Sequence, residues 1–184
     1  MYQVIFDLST KSINIIVVKE QKIYFSSFKK FKEPHSDVAI DYLFQFLKEK
    51  NINLEEVSEI IISQLSGSIV GNMIAFSLIT CWKFFNSKTK FFFVDSLYLQ
   101  ICKKTQISAF NDVKKKYNFL LFNKKTQLFE KKTLNNQDFF ELIKKYPKDA
   151  VQTDNQRENI ADYFFINANK YKRPITDDYF CFRG

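Results

Sequence analysis

Few residues of this 184-residue chain are of a type that could do chemistry. They are an acidic, hydroxyl-rich turn, Asp7-Leu8-Ser9-Thr10, a glycine-bearing loop, Gly67-Ser68-Ile69-Val70-Gly71, one histidine, His35, and three cysteines, Cys81, Cys102 and Cys181. Asp7 could bind a metal-phosphate, yet a short carboxylate followed by Ser and Thr hydroxyls equally serves to hold a tight turn between strands. Gly67 and Gly71 are the only glycines besides Gly184. They sit four residues apart at a strand-to-helix passage, where a backbone needs unusual φ values or a close approach. A single histidine excludes a His-based zinc site and an HExxH metalloprotease on ligand count. Neither a Walker A loop nor a GxGxxG sequence occurs. His35, after Pro34 at a helix entry, reads as a capping or surface residue. Cys81 and Cys102 lie on apolar helix faces and read as small core residues, since a reactive thiolate needs exposure and a positive field. No two cysteines are close enough for a zinc knuckle or a CxxC pair, and the odd count points to a reducing cytoplasm. The inventory argues against an enzyme acting alone: no catalytic residue, metal or cofactor is expected.

The positioning elements come from a chain that is 46% hydrophobic and 26% charged, the composition of a folded protein with its own core. Twenty-eight basic and twenty acidic residues give a net charge of +8, which raises nucleic acid or an anionic membrane as a partner. The abundance of Lys, Asn, Ile and Phe beside only three arginines suggests AT-rich codon usage as a source of that charge, and Arg is the cation best shaped for phosphate. Asp7 interrupts the first apolar run, so no secretory signal is read there. The stretch Ile60–Trp82 carries no charge and is long enough to span a bilayer. Ser66-Gly67-Ser68 splits it, however, and a buried strand, loop and helix is the expectation rather than a membrane span.

Three β-branched and aromatic runs, Val4–Phe6, Ile13–Val18 and Lys22–Phe28, predict an opening meander of strands. Ser36 is the expected N-cap, with Asp37 in the first turn, of a helix reaching about Lys50. Its apolar side, Val38, Ile40, Leu43, Phe44, Phe46 and Leu47, is wider than one stripe. Glu59–Ser63 is a strand without alternation, as when both faces of a sheet are covered. The second helix runs to about Phe85 and is apolar on nearly all sides, so it needs cover beyond its own sheet. Lys90–Val94 is a further strand, with a helix from Leu97 to about Lys103 capped by Asp95-Ser96. The first half ends near Ala109–Asp112. Beyond it, Tyr117–Phe122 and Gln127–Lys132 form a hairpin, and Asn136 caps a helix that Pro147 stops. Residues 150–153, 163–166 and 179–183 are weaker strand candidates, and no fixed-period repeat appears. This is an α/β chain.

In this order the pieces resemble the tRNA threonylcarbamoyladenosine biosynthesis family TsaB, YeaZ-like members of the glycoprotease M22-like superfamily. The likeness covers Tyr2 to about Cys102. The family's I-D-T-S-T opening corresponds to Ile5-Phe6-Asp7-Leu8-Ser9-Thr10, and its His-Ser pair to His35-Ser36. Its G-P-G-S-F-T-G-L-R stretch corresponds to Leu65-Ser66-Gly67-Ser68-Ile69-Val70-Gly71-Asn72-Met73, and V-x-S-L to Val94-Asp95-Ser96-Leu97. The first Gly, the Pro and the terminal Arg of the long stretch are replaced by Leu65, Ser66 and Met73. The second half matches poorly, as in a diverged form from an AT-rich, reduced genome.

The resemblance implies an actin-like (ASKHA, ribonuclease H-like) fold, with an N-terminal lobe over residues 1–110 and a reduced C-terminal lobe over 111–184. It implies a cytoplasmic, non-catalytic scaffold of the tRNA-modifying complex. Such a scaffold pairs through its N-lobe helices with a TsaD-like catalytic subunit, is joined by a TsaE-like ATPase, and meets tRNA indirectly, with a homodimer when isolated. Leu43 and Phe46 on the first helix, and Met73 and Phe76 on the second, are the expected partner contacts, with core packing the alternative for each. Gly67, Ser68 and Gly71 form the glycine loop, and Asp7, Ser9 and Thr10 a vestigial phosphate turn. Two other classes stay open: a stand-alone basic RNA-binding module, and a small actin-like-fold kinase or peptidase.

Overall fold

The fold is taken from a computed structural model, which describes residues 1–8, 12–64, 69–102, 105–112, 116–123, 126, 128–153 and 160–175. The chain forms two compact units. The first comprises Met1–Ser96 with the segment from Ala168 onward, and the second Leu97–Asn167. The sequence places the division near residue 110, but that point falls inside a strand of the second unit, and the chain's last described residues return to the first.

The first unit opens with β1 (Tyr2–Asp7), β2 (Ser12–Lys19) and β3 (Lys22–Lys30). Then follow α1 (His35–Glu49), a 3-10 turn at Leu54–Glu56, β4 (Val57–Gln64), α2 (Ile69–Phe85) and β5 (Lys90–Asp95). The second contains β6 (Ile107–Asp112), β7 (Lys116–Asn123), β8 (Leu128–Asn135), α4 (Asn136–Ile143) and β9 (Val151–Thr153), preceded by the single turn α3 (Ser96–Leu99). Helix α5 (Ile160–Tyr171) leads back to the short β10 (Arg173–Pro174).

The first sheet runs β10-β5-β4-β1-β2-β3, with β1, β4 and β5 parallel and the meander antiparallel. The second runs β8-β7-β6-β9, with β9 parallel to β6. Counted within each unit, both show the order 3-2-1-4 with a helix between the third and fourth strands. The halves therefore share one topology that no residue repeat reveals.

Inner strands of the first sheet are buried on both faces, which is why β1, β2 and β4 lack alternation. On one face Val4, Phe6, Ile15, Val17, Ile60 and Ile62 meet α1 and α2 in one core. On the other, Ile5, Ile16 and Ile61 are equally buried. Trp82 of α2, fully buried, stacks on Phe44 of α1 at 5.5 Å. Its ring N–H donates to Thr89 Oγ1 at 3.0 Å, and the Thr89 hydroxyl donates to Val57 O at 2.8 Å. The large indole is thus both packed and polar-satisfied.

Local chemistry explains most boundaries. Helix α1 starts at His35 with Pro34 at the N-cap and no side-chain cap. Ser36 is not the cap: it lies within the first turn, where its hydroxyl donates to Asp37 at 2.7 Å. The helix ends in a Schellman arrangement, with Asn51 at φ 53°, Ile52 N–H donating to Leu47 O and Asn51 N–H to Lys48 O. Glu20 and Gln21 both have positive φ, so the β2–β3 tip is a two-residue primed turn built without glycine. In the second unit Asn135, not Asn136, caps α4 by accepting from Asp138 N–H at 2.9 Å. The helix expected over residues 97–103 is the single turn α3, and the strand candidate over 163–166 lies inside α5. The burial of Phe164, Asn167 and Ala168 is helical spacing, and it outweighs the β propensity of the aromatic run.

A polar cluster ties the returning segment to the first sheet. Gln3 Nε2 donates to Glu59 at 2.6 Å and to Asn169 Oδ1 at 2.9 Å, and Asn169 Nδ2 donates back to Gln3 at 3.1 Å. Lys172 pairs with Glu59, and its ammonium lies 4.6 Å from the Phe92 ring centroid. Both partners of the ion pair are mostly shielded from water, which makes the pair worth more than an exposed one. Glu59→Ala is expected to lower unfolding stability in urea by about 1–2 kcal/mol, because Lys172 and Gln3 both lose a partner. Lys172→Met in the Glu59→Ala background should add little, and additive losses would show the pair to be uncoupled.

Candidate functional site

Two places in the first unit gather the residues expected to matter. One is the end of β1. Asp7 is fully buried and pairs in register with Asn14 of β2, whose Nδ2 donates to the Asp7 carboxylate at 2.7 Å. Leu8 N–H donates to Ser63 Oγ of β4 at 2.8 Å. The one described member of the phosphate turn is therefore part of the packing between β1 and β2. Ser9 and Thr10 lie outside the described residues, as do Gly67 and Ser68 of the glycine loop. Gly71 stands in the first turn of α2, partly exposed. Among the described residues no group of three or more His, Cys, Asp or Glu could hold a metal ion.

The other place is the outer side of α2. Ile74, Ala75, Leu78, Ile79 and Trp82 turn toward the sheet and are buried. Val70, Met73, Phe76, Phe84 and Phe85 turn away from it; Met73 is 57% exposed, Phe76 41% and Phe84 87%. Ser77, Thr80 and Cys81 complete that side, and the only charged residue of the helix is Lys83. Large apolar side chains at this spacing, uninterrupted by charge, form a contiguous face, and such faces mark interaction sites more often than ordinary surface. Phe84 and Phe85 stand edge to face at 5.5 Å at its C-terminal end.

The four expected partner contacts therefore divide. Met73 and Phe76 lie on the exposed face. Leu43 and Phe46 do not: both are buried in the core against the sheet. The reason is geometric, because the remaining apolar residues of α1, Val38, Ile40, Tyr42 and Phe44, are themselves partly buried around the same core. Of the two helices, the surplus apolar surface belongs to α2, and its most exposed apolar residue is Phe84, which a helix apolar on nearly all sides does not single out from sequence. Cys81 is exposed rather than core. Cys102 lies beyond α3, partly buried, and its Sγ accepts from Thr105 Oγ1 at 3.3 Å. His35 is the partly buried first residue of α1. No described helix is long and apolar enough to cross a membrane.

No protein-family model and no curated protein sequence matches the chain. Solved structures do. YeaZ from Pseudomonas aeruginosa superposes with a TM-score of 0.56 at 14% identity, over 71% of this chain and 64% of that one. A protein described as similar to peptidase YeaZ from Pseudomonas aeruginosa superposes with a TM-score of 0.58 at 14% identity, over 73% and 66%. This chain spans less than two thirds of either neighbour's length. The fold is thus the actin-like α/β fold of YeaZ.

The two groups of apolar residues should part in stability measurements. Leu43→Ala is expected to cost about 2–5 kcal/mol, as for a fully buried leucine. Phe84→Ala should stay within about 0.5 kcal/mol of the parent in urea unfolding. A large loss at Phe84 would show that face to be covered in the isolated chain.

Proposed function

We propose that this chain is a TsaB-type, non-catalytic scaffold subunit that pairs through the outer face of α2 with a TsaD-like catalytic subunit of the tRNA threonylcarbamoyladenosine-modifying complex. The observation that carries this reading is the uncharged apolar face of Val70, Met73, Phe76 and Phe84 on a lobe with the fold of YeaZ. Burying such a face supplies roughly 25 cal/mol for each Å² of apolar surface removed from water, so association is its natural use. The motif likeness over Tyr2–Cys102 supports the same family. In this reading the partner supplies the metal and the transfer chemistry, a TsaE-like ATPase joins the pair, and tRNA is held chiefly by the partner. The scaffold works in the cytoplasm, and in the absence of a partner the same face pairs with a second copy.

Affinity capture from the native lysate, with this chain as bait and mass spectrometry as readout, tests the proposal. The parent chain should recover a TsaD-like subunit, and Met73→Asp and Phe84→Asp should each abolish recovery while leaving the circular dichroism spectrum unchanged. Recovery that survives both substitutions moves the interface elsewhere. A folded bait that captures no TsaD-like subunit sinks the scaffold reading.

A further inference from the structure

A second surface, at the opposite edge of the first sheet, has a different character. Residues 19–32 contain Lys19, Lys22, Lys29, Lys30 and Lys32 against the single acid Glu20. That is five minus one, a net +4, half of the whole chain's +8 within fourteen residues. These residues are the β2–β3 hairpin and its continuation, and β3 ends the strand order, so one backbone edge of it pairs with no strand among the described residues. Lys22, Lys29, Lys30 and Lys32 are all exposed. By register Lys22 and Lys29 fall on the α1 face and Lys30 on the other. The positive charge therefore follows the rim of the sheet rather than either face.

Aromatic rings are interleaved with that charge. Tyr24, the extra residue of a bulge opposite Val17 and Val18, is 53% exposed, and Phe28 is 41% exposed. Three lysines lie over the rings that line the α1 side: Lys19 over Tyr2 and Tyr24, Lys29 over Phe31 and Tyr42, and Lys50 over Phe25 and Phe46, at 5.0 to 5.8 Å from the centroids. Tyr2 beside Lys19 holds that ammonium above its ordinary pKa by charge interaction first and hydrogen bonding second. Tyr24 is braced by Tyr2 at 6.0 Å and Phe25 at 4.5 Å, so the half-exposed ring stands on a packed support.

We infer that the β3 rim binds a single-stranded nucleic acid, with phosphates on Lys22, Lys29, Lys30 and Lys32 and a base stacked on Tyr24. A cationic track with aromatic platforms is the arrangement by which proteins hold single strands without reading sequence. Lys22 to Lys30 spans about 26 Å at strand rise, a length suited to the short end of known site sizes, roughly four nucleotides. An acidic protein segment would use the lysines but has no need of the exposed ring. The inference is independent of the scaffold reading, since the rim and the α2 face share no residue.

The test is fluorescence anisotropy of the full chain with a labelled, unstructured oligouridine RNA across a salt series. Lys22→Glu with Lys30→Glu should weaken binding by about tenfold or more and flatten the slope of log K against log salt by about 1.4. Tyr24→Ala should weaken it by about tenfold with the slope unchanged. Lys144→Glu with Lys145→Glu, an equal change of net charge at exposed positions of the second unit, should alter affinity by less than about threefold. Equal losses in both lysine pairs, or no binding by the parent chain at low salt, would overturn the inference. Photo-crosslinking with 4-thiouridine gives a readout on the unmutated chain: adducts belong in the peptide carrying Tyr24, and adducts only elsewhere defeat the assignment.

Discussion

A sheet whose inner strands are buried on both faces is the constraint from which the rest of the first unit follows. Because Val4, Phe6 and Ile15 face one way and Ile5, Ile16 and Ile61 the other, all fully or almost fully buried, each face must be covered. Helices α1 and α2 cover the first. Their joint packing is fixed by the Phe44–Trp82 stack, and the Trp82–Thr89–Val57 hydrogen bonds fasten the end of α2 to the start of β4. A continuous apolar strand cannot reach β5 in parallel without a crossover, so α2 must lie over the sheet between β4 and β5. With its inner side so fixed, the outer side is free to carry Met73, Phe76 and Phe84. The exposed apolar face is thus the back of an element whose position the core dictates.

The return of the chain to the same sheet is a second response to that constraint. Glu59 on β4 and Gln3 on β1 would be a carboxylate and an amide on largely buried strands. Asn169 and Lys172 supply hydrogen-bond partners to both and place β10 beside β5. A polar pair removed from water is tolerable only when its hydrogen-bonding capacity is met, and here residues more than a hundred positions apart meet it. The second unit keeps the 3-2-1-4 strand order, and α5, which begins in it, carries the chain back to the first unit at Ala168.

The strands of the first unit were legible because buried strands are written in uninterrupted Ile, Val and Phe, and α2 because its apolar run is too long for a strand. The α1 boundary differs because Ser36 is a better cap by type than Pro34, while Pro34 fixes the backbone that lets the helix start two residues earlier. Helix α5 was misread over 163–166 because aromatic and β-branched neighbours carry β propensity, whereas Phe164 and Ala168 are spaced for a helix face. Strand β6 was not read: Ile107–Asp112 is short and mixed in polarity, and although β7 follows it directly, its other partner, β9, lies some forty residues on. In the candidate site, the identity of α2 was readable but its orientation was not. A helix apolar all round does not say which side meets its own sheet, so Met73 and Phe76 emerged on the surface while Leu43 and Phe46 went to the core.

The charge at the β3 rim cannot be set down to codon usage alone. AT-rich codons raise the number of lysines everywhere on a surface, but they also supply Asp and Glu, and only one of the chain's twenty acids falls in residues 19–32. Like charges directly opposite each other in an antiparallel pair are unfavourable, yet Lys19 and Lys22 stand so at the tip. The Lys19 ammonium is attracted to the electron-rich faces of the Tyr2 and Tyr24 rings, 5.2 and 5.6 Å from their centroids, which offsets part of that repulsion. The same accommodation keeps the tip cationic and the Tyr24 ring in place. Helix α1 contacts β2 while α2 contacts β4, so α1 stands between the rim and the α2 face. An apolar partner on α2 and a polyanion on β3 would therefore not compete for space, and salt would weaken the second far more than the first.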